Sequence, residues 1–176
     1  MALLGRSGAG GIETSMIYAI AAMAENGIIG SRGGMPWHIP DEMKWFKEKT
    51  MGHTLVMGST TYQHLPKPLT QRKVIVVTHR NLKLFEGDER CEDLYGLLEA
   101  YRNSKAELMI CGGASIYEQA MPYIDRLYIS IIPRTFMGDT YFPKLDPAFK
   151  QVSIKPMNGF QIRTYERLSL IHISID

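Results

Sequence analysis

The chain has 176 residues, enough for one domain with a sizeable core. It is 45% hydrophobic and 22% charged with a net charge of +2, which excludes a disordered chain, and its scattered Lys and Arg offer no basic face for nucleic acid. No apolar run nears the roughly 20 residues of a membrane span, and two cysteines are too few for a disulfide framework, so a reducing cytoplasm is expected.

Residues 1–15 are rich in Gly, Ser and Ala, show no secondary-structure period and lack the apolar region of a signal peptide. They read as a disordered extension or an expression remnant, and Met16 reads as the natural start because a strand begins there. Ile17 to Ala24 is an apolar run fit for a buried strand. Glu25 to Met35 holds four glycines and reads as a mobile loop. Pro40 to Lys49 reads as a helix, with Met43, Trp45 and Phe46 as its inner face. Thr54 to Met57 is a second buried strand, and a helix runs from Ser59 to Leu65 after Gly58. Lys73 to Thr78 is a strongly β-branched strand.

Further on, Asp93 to Asn103 reads as an amphipathic helix and Glu107 to Cys111 as a strand, with Cys111 a buried thiol. Gly112-Gly113 follows, then a helix over Ala114 to Ala120 and a strand over Arg126 to Ile132. Val152 to Lys155 and Phe160 to Leu168 form an antiparallel pair about Asn158-Gly159. The pattern predicts a single α/β domain over residues 16–168. Its core is a mainly parallel twisted sheet of about eight strands, with an antiparallel C-terminal strand and about four flanking helices. Residues 169–176 read as a tail of uncertain origin.

Several residues carry chemistry. Glu42 shares a helix face with Trp45 and Phe46, three and four positions on, while Asp41 is rotated away and should be solvated. Both acids also suit a first helical turn for the dipole alone. An acid among Trp37, Trp45 and Phe46 is costly to bury unless a ligand with a flat apolar ring and hydrogen-bond donors pairs with it. Gly112-Gly113, between a strand and a helix, lets phosphates approach the backbone, or is only a tight turn. Gly58-Ser59-Thr60-Thr61 repeats that logic, although Ser59 or Thr60 could be a plain N-cap. Arg72 at a strand mouth can clamp a carboxylate with two parallel bonds, or is a solvated arginine. Gly138-Asp139 suits an Asx-type turn. The five histidines show no metal-ligand spacing, so no metal is expected.

The ordered motifs Ile17-x-Ala19-Ile20-Ala21-Ala22, Ile28-Ile29-Gly30, Met35-Pro36-Trp37, Val56-Met57-Gly58, Pro68-Leu69-x-x-Arg72, Gly112-Gly113-x-x-x-Tyr117 and Gly138-Asp139-Thr140-Tyr141-Phe142-Pro143 resemble bacterial-type dihydrofolate reductase from Met16 to about Leu168. The resemblance implies NADPH-dependent reduction of 7,8-dihydrofolate to tetrahydrofolate, with hydride transfer to C6 and protonation at N5. It implies Glu42 as the catalytic acid, oriented by Trp37 and Ser130. Ile20, Ala22, Met35, Phe46, Leu65, Leu69, Arg72, Cys111 and Tyr117 would meet dihydrofolate or antifolates such as methotrexate and trimethoprim. Ala21, Ile29, Gly58, Ser59, Thr60, Thr61, Thr78, His79, Arg80, Gly112, Gly113, Ala114, Ser115 and Ile116 would meet NADPH. Gly138 and Asp139 would hold the Gly30–Gly34 loop closed.

Three departures stand out. Ser59 and Ser115 replace residues that are often basic, so NADPH preference over NADH rests on Thr78, His79 and Arg80. Ser130 replaces the family's usual threonine but keeps the hydroxyl. Pro66 and His64 alter the pocket mouth. Members of the family mostly act as monomers, and no nucleic-acid or membrane partner is implied. The rivals are a pterin or pyrimidine reductase of the same shape, which should lack Arg72 and Glu42, a non-catalytic folate or nucleotide binder, and a bland α/β scaffold. Binding of NADPH or methotrexate separates the last from the rest.

Overall fold

The computed structural model describes residues 16–30 and 35–169. The expectations for residues 1–15, for the Ser31–Gly34 part of the glycine loop and for residues 170–176 lie outside the described residues.

Runs of Ile, Val, Leu and Met build the centre, because such side chains suit a sheet covered on both faces. The strands are β1 (Met16–Ala24), β2 (Ile28–Gly30), β3 (Thr54–Gly58), β4 (Lys73–Val77), β5 (Glu89–Cys91), β6 (Glu107–Ile110), β7 (Arg126–Ile132), β8 (Thr140–Tyr141), β9 (Phe149–Pro156) and β10 (Gln161–Arg167). The helices are α1 (Pro40–Thr50), α2 (Ser59–Gln63), α3 (Leu94–Arg102) and α4 (Ala114–Ala120), which runs into a single 3-10 turn at Met121–Tyr123. Eight strands form one sheet in the order β5-β4-β3-β6-β1-β7-β10-β9. Only β10 runs against the others, pairing antiparallel with both β7 and β9. This matches the expected mainly parallel sheet with an antiparallel C-terminal strand.

Two buried clusters cover the sheet. Ile17, Ala19, Ala21, Ile110, Leu127 and Ile129 meet α3 and α4 on one face. Ile20, Leu55, Met57, Val74, Val76 and Met109 meet Trp45 and Phe46 of α1 on the other. A third cluster joins Ile132, Phe160 and Ile162 to Trp37, Ile39, Phe136 and Met157, anchoring the approach to α1.

The structure corrects five details. Met43 is exposed and does not belong to the inner face of α1; it follows Glu42 and points some 100° away from it, whereas Trp45 and Phe46 return to the same side. The Glu25–Met35 loop contains β2, which pairs with β8. Strand β5 pairs in parallel with β4 at the sheet edge and had no apolar signal. Helix α2 stops at Gln63 rather than Leu65, and strand β10 stops at Arg167.

The sheet also divides. Strands β1 and β6 pair only from Met16↔Glu107 to Ala19↔Ile110. Strand β1 then continues to Ala24 beside β7, with Ala22 opposite Ser130. The chain after β6 stays with β3 instead: Cys111 N–H donates to Val56 O at 2.8 Å and Gly58 N–H to Gly112 O at 2.9 Å. A cleft therefore opens past the ends of the strands, between the second half of β1 and the Gly112 turn, where ligands of open α/β sheets bind.

Candidate active site

Glu42 lies in the first turn of α1, behind Pro40 at the start. Pro fits there because its missing N–H is unpaired in any first turn, and the adjoining acids favour the positive helix end. Helical periodicity turns Glu42 inward, where it is 5% exposed and accepts a hydrogen bond from Ser130 Oγ at 3.2 Å. Ser130 itself is fully buried on β7. Burial pushes the Glu42 carboxyl above its ordinary range, and the Ser130 hydroxyl opposes the rise. Asp41 is exposed, as expected, and accepts from Asn158 Nδ2 at 2.7 Å. That bond ties the start of α1 to the β9–β10 turn.

Ile20 of β1 packs with Trp45 and Phe46 of α1, and Leu65 and Leu69 pack half-buried in the same cluster, while Ala22 of β1 stands opposite Ser130, the donor to Glu42. Trp37 leans on Phe136 with ring centroids 5.4 Å apart. Its Nε1 is buried without a partner among the described residues, so no bond from Trp37 to Glu42 is seen. Met35 is exposed at the edge.

Arg72 is half-buried and held at both ends of its fork. Its Nε donates to Thr70 O at 3.1 Å and its Nη1 to Thr50 Oγ1 at 3.1 Å. Thr50 in turn donates to Phe46 O at 2.7 Å. Burial lowers the arginine's pKa, but guanidinium stays charged in proteins. Thr50 had a readable signal that sequence reasoning missed: residues 42, 46 and 50 recur every four positions on one helix face.

Cys111 lies just past β6 and Arg72 attracts its thiolate, yet burial still pushes the thiol up to about 12, so it stays protonated. Tyr117 is buried, and its hydroxyl donates to Ile20 O at 2.7 Å. That carbonyl belongs to the part of β1 that β6 has left, so the tyrosine satisfies an acceptor the sheet no longer pairs. Its hydroxyl is thus engaged with β1, under the site rather than open to it, and burial raises its pKa well above the phenolic range.

The Gly112–Gly113 peptide is cis, and Gly112 has φ +107. A Cβ on Gly112 would lie 3.2 Å from Tyr117 Oη, and one on Gly58 would lie 3.3 Å from Ile116 Cγ1. Thr61 Oγ1 stands 3.6 Å from the Cβ position of Gly113. Neither Ser59 nor Thr60 caps α2: Gly58 is the cap and no side chain bonds the helix end. The Ser59 hydroxyl instead accepts from Arg80 Nη2 at 2.9 Å, and Gln63 Oε1 accepts from the same nitrogen at 3.2 Å. Arg80 N–H donates to Thr78 Oγ1 at 3.0 Å. Ala21 and Ile116 are buried in the core, with Ile29 packed half-buried against them and Ala114 half-buried at the start of α4, whereas the exposed Ser115 accepts from Gln119 within its own helix.

Gly138 packs against the start of the glycine loop. A Cβ there would sit 2.6 Å from Gly30 O and 2.8 Å from Ile28 Cγ2. Asp139 N–H donates to Gly30 O at 3.2 Å, and its carboxylate accepts from Thr140 Oγ1 at 2.9 Å. No group of residues able to hold a metal ion exists among the described residues.

The site therefore joins a buried acid, an apolar slot, a fixed arginine and a glycine-lined cleft with a cation at its far end. The family model for dihydrofolate reductase matches residues 16–167. A dihydrofolate reductase of Bacillus subtilis is 38% identical over 131 residues, covering 74% of this chain and 77% of that protein. The dihydrofolate reductase HdrB of Haloferax volcanii is 35% identical over 158 residues, covering 84% and 81%. Among solved structures, the Enterococcus faecalis dihydrofolate reductase complexed with NADP(H) and RAB-propyl superposes with a TM-score of 0.78 at 34% identity, covering 86% of this chain and 96% of that one.

Proposed function

The chain belongs to the dihydrofolate reductase family, and from that premise we propose how its own residues carry out the reaction. It is an oxidoreductase that reduces 7,8-dihydrofolate to 5,6,7,8-tetrahydrofolate with NADPH. Bound NADPH supplies the hydride for C6, and the protein's task is to bind, orient and exclude water.

Glu42 carries this reading, because it is a buried acid with a single hydrogen-bond donor among the described residues, beside an apolar cluster. Such a group needs donors from a ligand. Glu42 accepts hydrogen bonds from the pterin amino group and ring N–H, and its charge raises the basicity of N5, which takes its proton from water. Ser130 fixes the carboxylate from below. The orphaned indole N–H of Trp37 adds a donor at the mouth. Ile20, Ala22, Phe46, Leu65 and Leu69 sandwich the flat rings, with Met35 and Cys111 at the rim. Arg72, aimed by Thr50 and Thr70, takes the carboxylate of the substrate's tail and of folate-like inhibitors such as methotrexate.

The cleft fits a dinucleotide. Gly58, Gly112 and Gly113 leave the backbone open to close approach, and the hydroxyls of Ser59, Thr60 and Thr61 can donate to phosphate oxygens. Thr78, His79 and Arg80 meet the 2′-phosphate. Gly138 and Asp139 keep the Gly30 end of the loop down over the site.

We also infer that residues 16–168 form the catalytic unit, that it acts as a monomer in the cytoplasm and that it has no nucleic-acid or membrane partner. The modest net charge and the two free cysteines support this. The experiment that tests the assignment follows NADPH absorbance on addition of dihydrofolate, for wild type beside Glu42→Ala. Loss of turnover in the variant supports both reaction and acid; equal rates would discard Glu42.

A further inference from the structure

Strand β5 brings an acid to the cation end of the cleft. Val77 pairs with Cys91, and Thr78 N–H donates to Cys91 O at 2.9 Å, so Glu92 emerges beside His79. Glu92 Oε1 lies 3.2 Å from His79 Nδ1, and its Oε2 lies 3.0 Å from Arg90 Nη2. Arg90 Nη1 in turn donates to the Arg80 carbonyl at 3.1 Å. Two of the three basic side chains here, His79 and Arg90, thus share one carboxylate, while Arg80 turns its guanidinium to Ser59 and Gln63. Glu92 neither touches Arg80's guanidinium nor lines the glycine cleft.

We propose that Glu92 is a specificity-determining residue that weakens the chain's preference for a 2′-phosphorylated cofactor, by competing with that phosphate for His79 and Arg90. The inference rests on the placement of the 2′-phosphate at Arg80. His79 and Glu92 are 82% and 52% exposed as side chains, so their contact is weak and their donors can turn to a ligand. A dianionic phosphate is the stronger acceptor, but it must approach a fixed negative charge to reach them. An unphosphorylated ribose hydroxyl meets no such repulsion. Ser59 offers a hydroxyl and no charge, and the Arg80 guanidinium is directed at it and at Gln63.

Calorimetric binding of 2′,5′-ADP and of 5′-AMP to wild type, Glu92→Gln and Arg80→Gln tests this without turnover. Glu92→Gln keeps the shape of an exposed side chain and removes the charge. It should tighten 2′,5′-ADP by about three- to tenfold and leave 5′-AMP within about twofold, and the gain should shrink between 0.1 and 1 M salt as screening grows. The ratio of NADPH to NADH KM should move the same way. Unchanged or weaker 2′,5′-ADP binding by Glu92→Gln, with wild type still favouring 2′,5′-ADP and Arg80→Gln losing that preference, overturns the role of Glu92 alone. Equal binding of the two nucleotides by wild type and by Arg80→Gln overturns the placement of the 2′-phosphate, and the role of Glu92 with it.

Discussion

Glu42→Gln should separate activity from stability in opposite directions. Glu42 is 5% exposed, and among the described residues its carboxylate receives one side-chain hydrogen bond, from Ser130 at 3.2 Å. A carboxylate has room for about four. Leaving buried acceptor capacity unmet costs about 1–3 kcal/mol and more for an ion. Glutamine keeps the volume and one acceptor for Ser130 but removes the charge, so without ligand the variant should gain about 1–3 kcal/mol. At about 2–4 °C per kcal/mol for a chain of this size, the melting point rises by about 2–12 °C. The sign follows from the titration. Burial raises the folded-state pKa, so between the ordinary carboxyl range and the raised one the folded protein binds more protons than the unfolded chain. The Glu42 contribution to wild-type stability is therefore full below that window and falls as pH rises through it, whereas the variant lacks that contribution and keeps only the slope of other groups such as the half-buried Asp125, whose carboxyl burial also raises. Turnover should drop by about 10²–10⁴, the usual weight of a group that assists proton transfer. Thermal melts across pH 4–8 and NADPH-coupled turnover give both readings. A variant that keeps full turnover, or that melts below wild type at neutral pH, would refute the reasoning.

Ser130→Ala removes the donor that opposes the rise in the Glu42 pKa, so the acid limb of the kcat/KM profile should move to higher pH while its plateau falls only modestly. Arg72→Gln should raise KM for dihydrofolate about 10- to 100-fold with a small change in kcat, because the bidentate contact lies far from the reacting ring; an unchanged KM counts against the clamp. Gly138→Ala places a carbon 2.6 Å from Gly30 O, so the β2–β8 contact must part. It should cost about 1–3 kcal/mol in urea unfolding and lower kcat, and a neutral outcome in both would show that the loop does not need this contact.

What the sequence disclosed, and what it hid, has physical causes. The α1 helix was legible because Pro40 starts it, acids fill its first turn and the inward side repeats every three or four residues. The inner strands were legible because each is a β-branched or apolar run bounded by Gly or polar residues. Strand β5 was not: Glu89, Arg90 and Cys91 sit at an edge, half exposed, so nothing selects an apolar pattern there. Strands β2 and β8 are three and two residues long, below the reach of any period. Glu42, Arg72 and the glycine pair were singled out by motif order and Thr50 lay on the readable 42, 46, 50 face, but Gln63, Glu92 and Asn158 make side-chain bonds that only folding brings within reach.

The acid and the glycine pair lie on opposite sides of β1 because β1 parts from β6. A parallel sheet that stayed paired would spend the Ile20 carbonyl and the Gly112 backbone on each other's strands and leave no slot. Here β6 ends at Ile110 opposite Ala19, and the following turn stays with β3. One buried, unpaired acceptor on β1 would then cost free energy, and Tyr117 removes that cost by reaching it at 2.7 Å. The same ring packs under Gly112, where a Cβ would come within 3.2 Å of its hydroxyl. Tyr117 therefore links β1 to the Gly112 turn, and Ser130 on β7, the other neighbour of β1, donates to Glu42. Tyr117→Phe tests this geometry. It should lose about 1–2 kcal/mol of stability, since a buried carbonyl is left without its donor. It should also weaken NADPH and dihydrofolate binding together, because both sides of the cleft share this link. Loss of stability with both affinities intact would mean that the cleft is held open by the flanking helices instead.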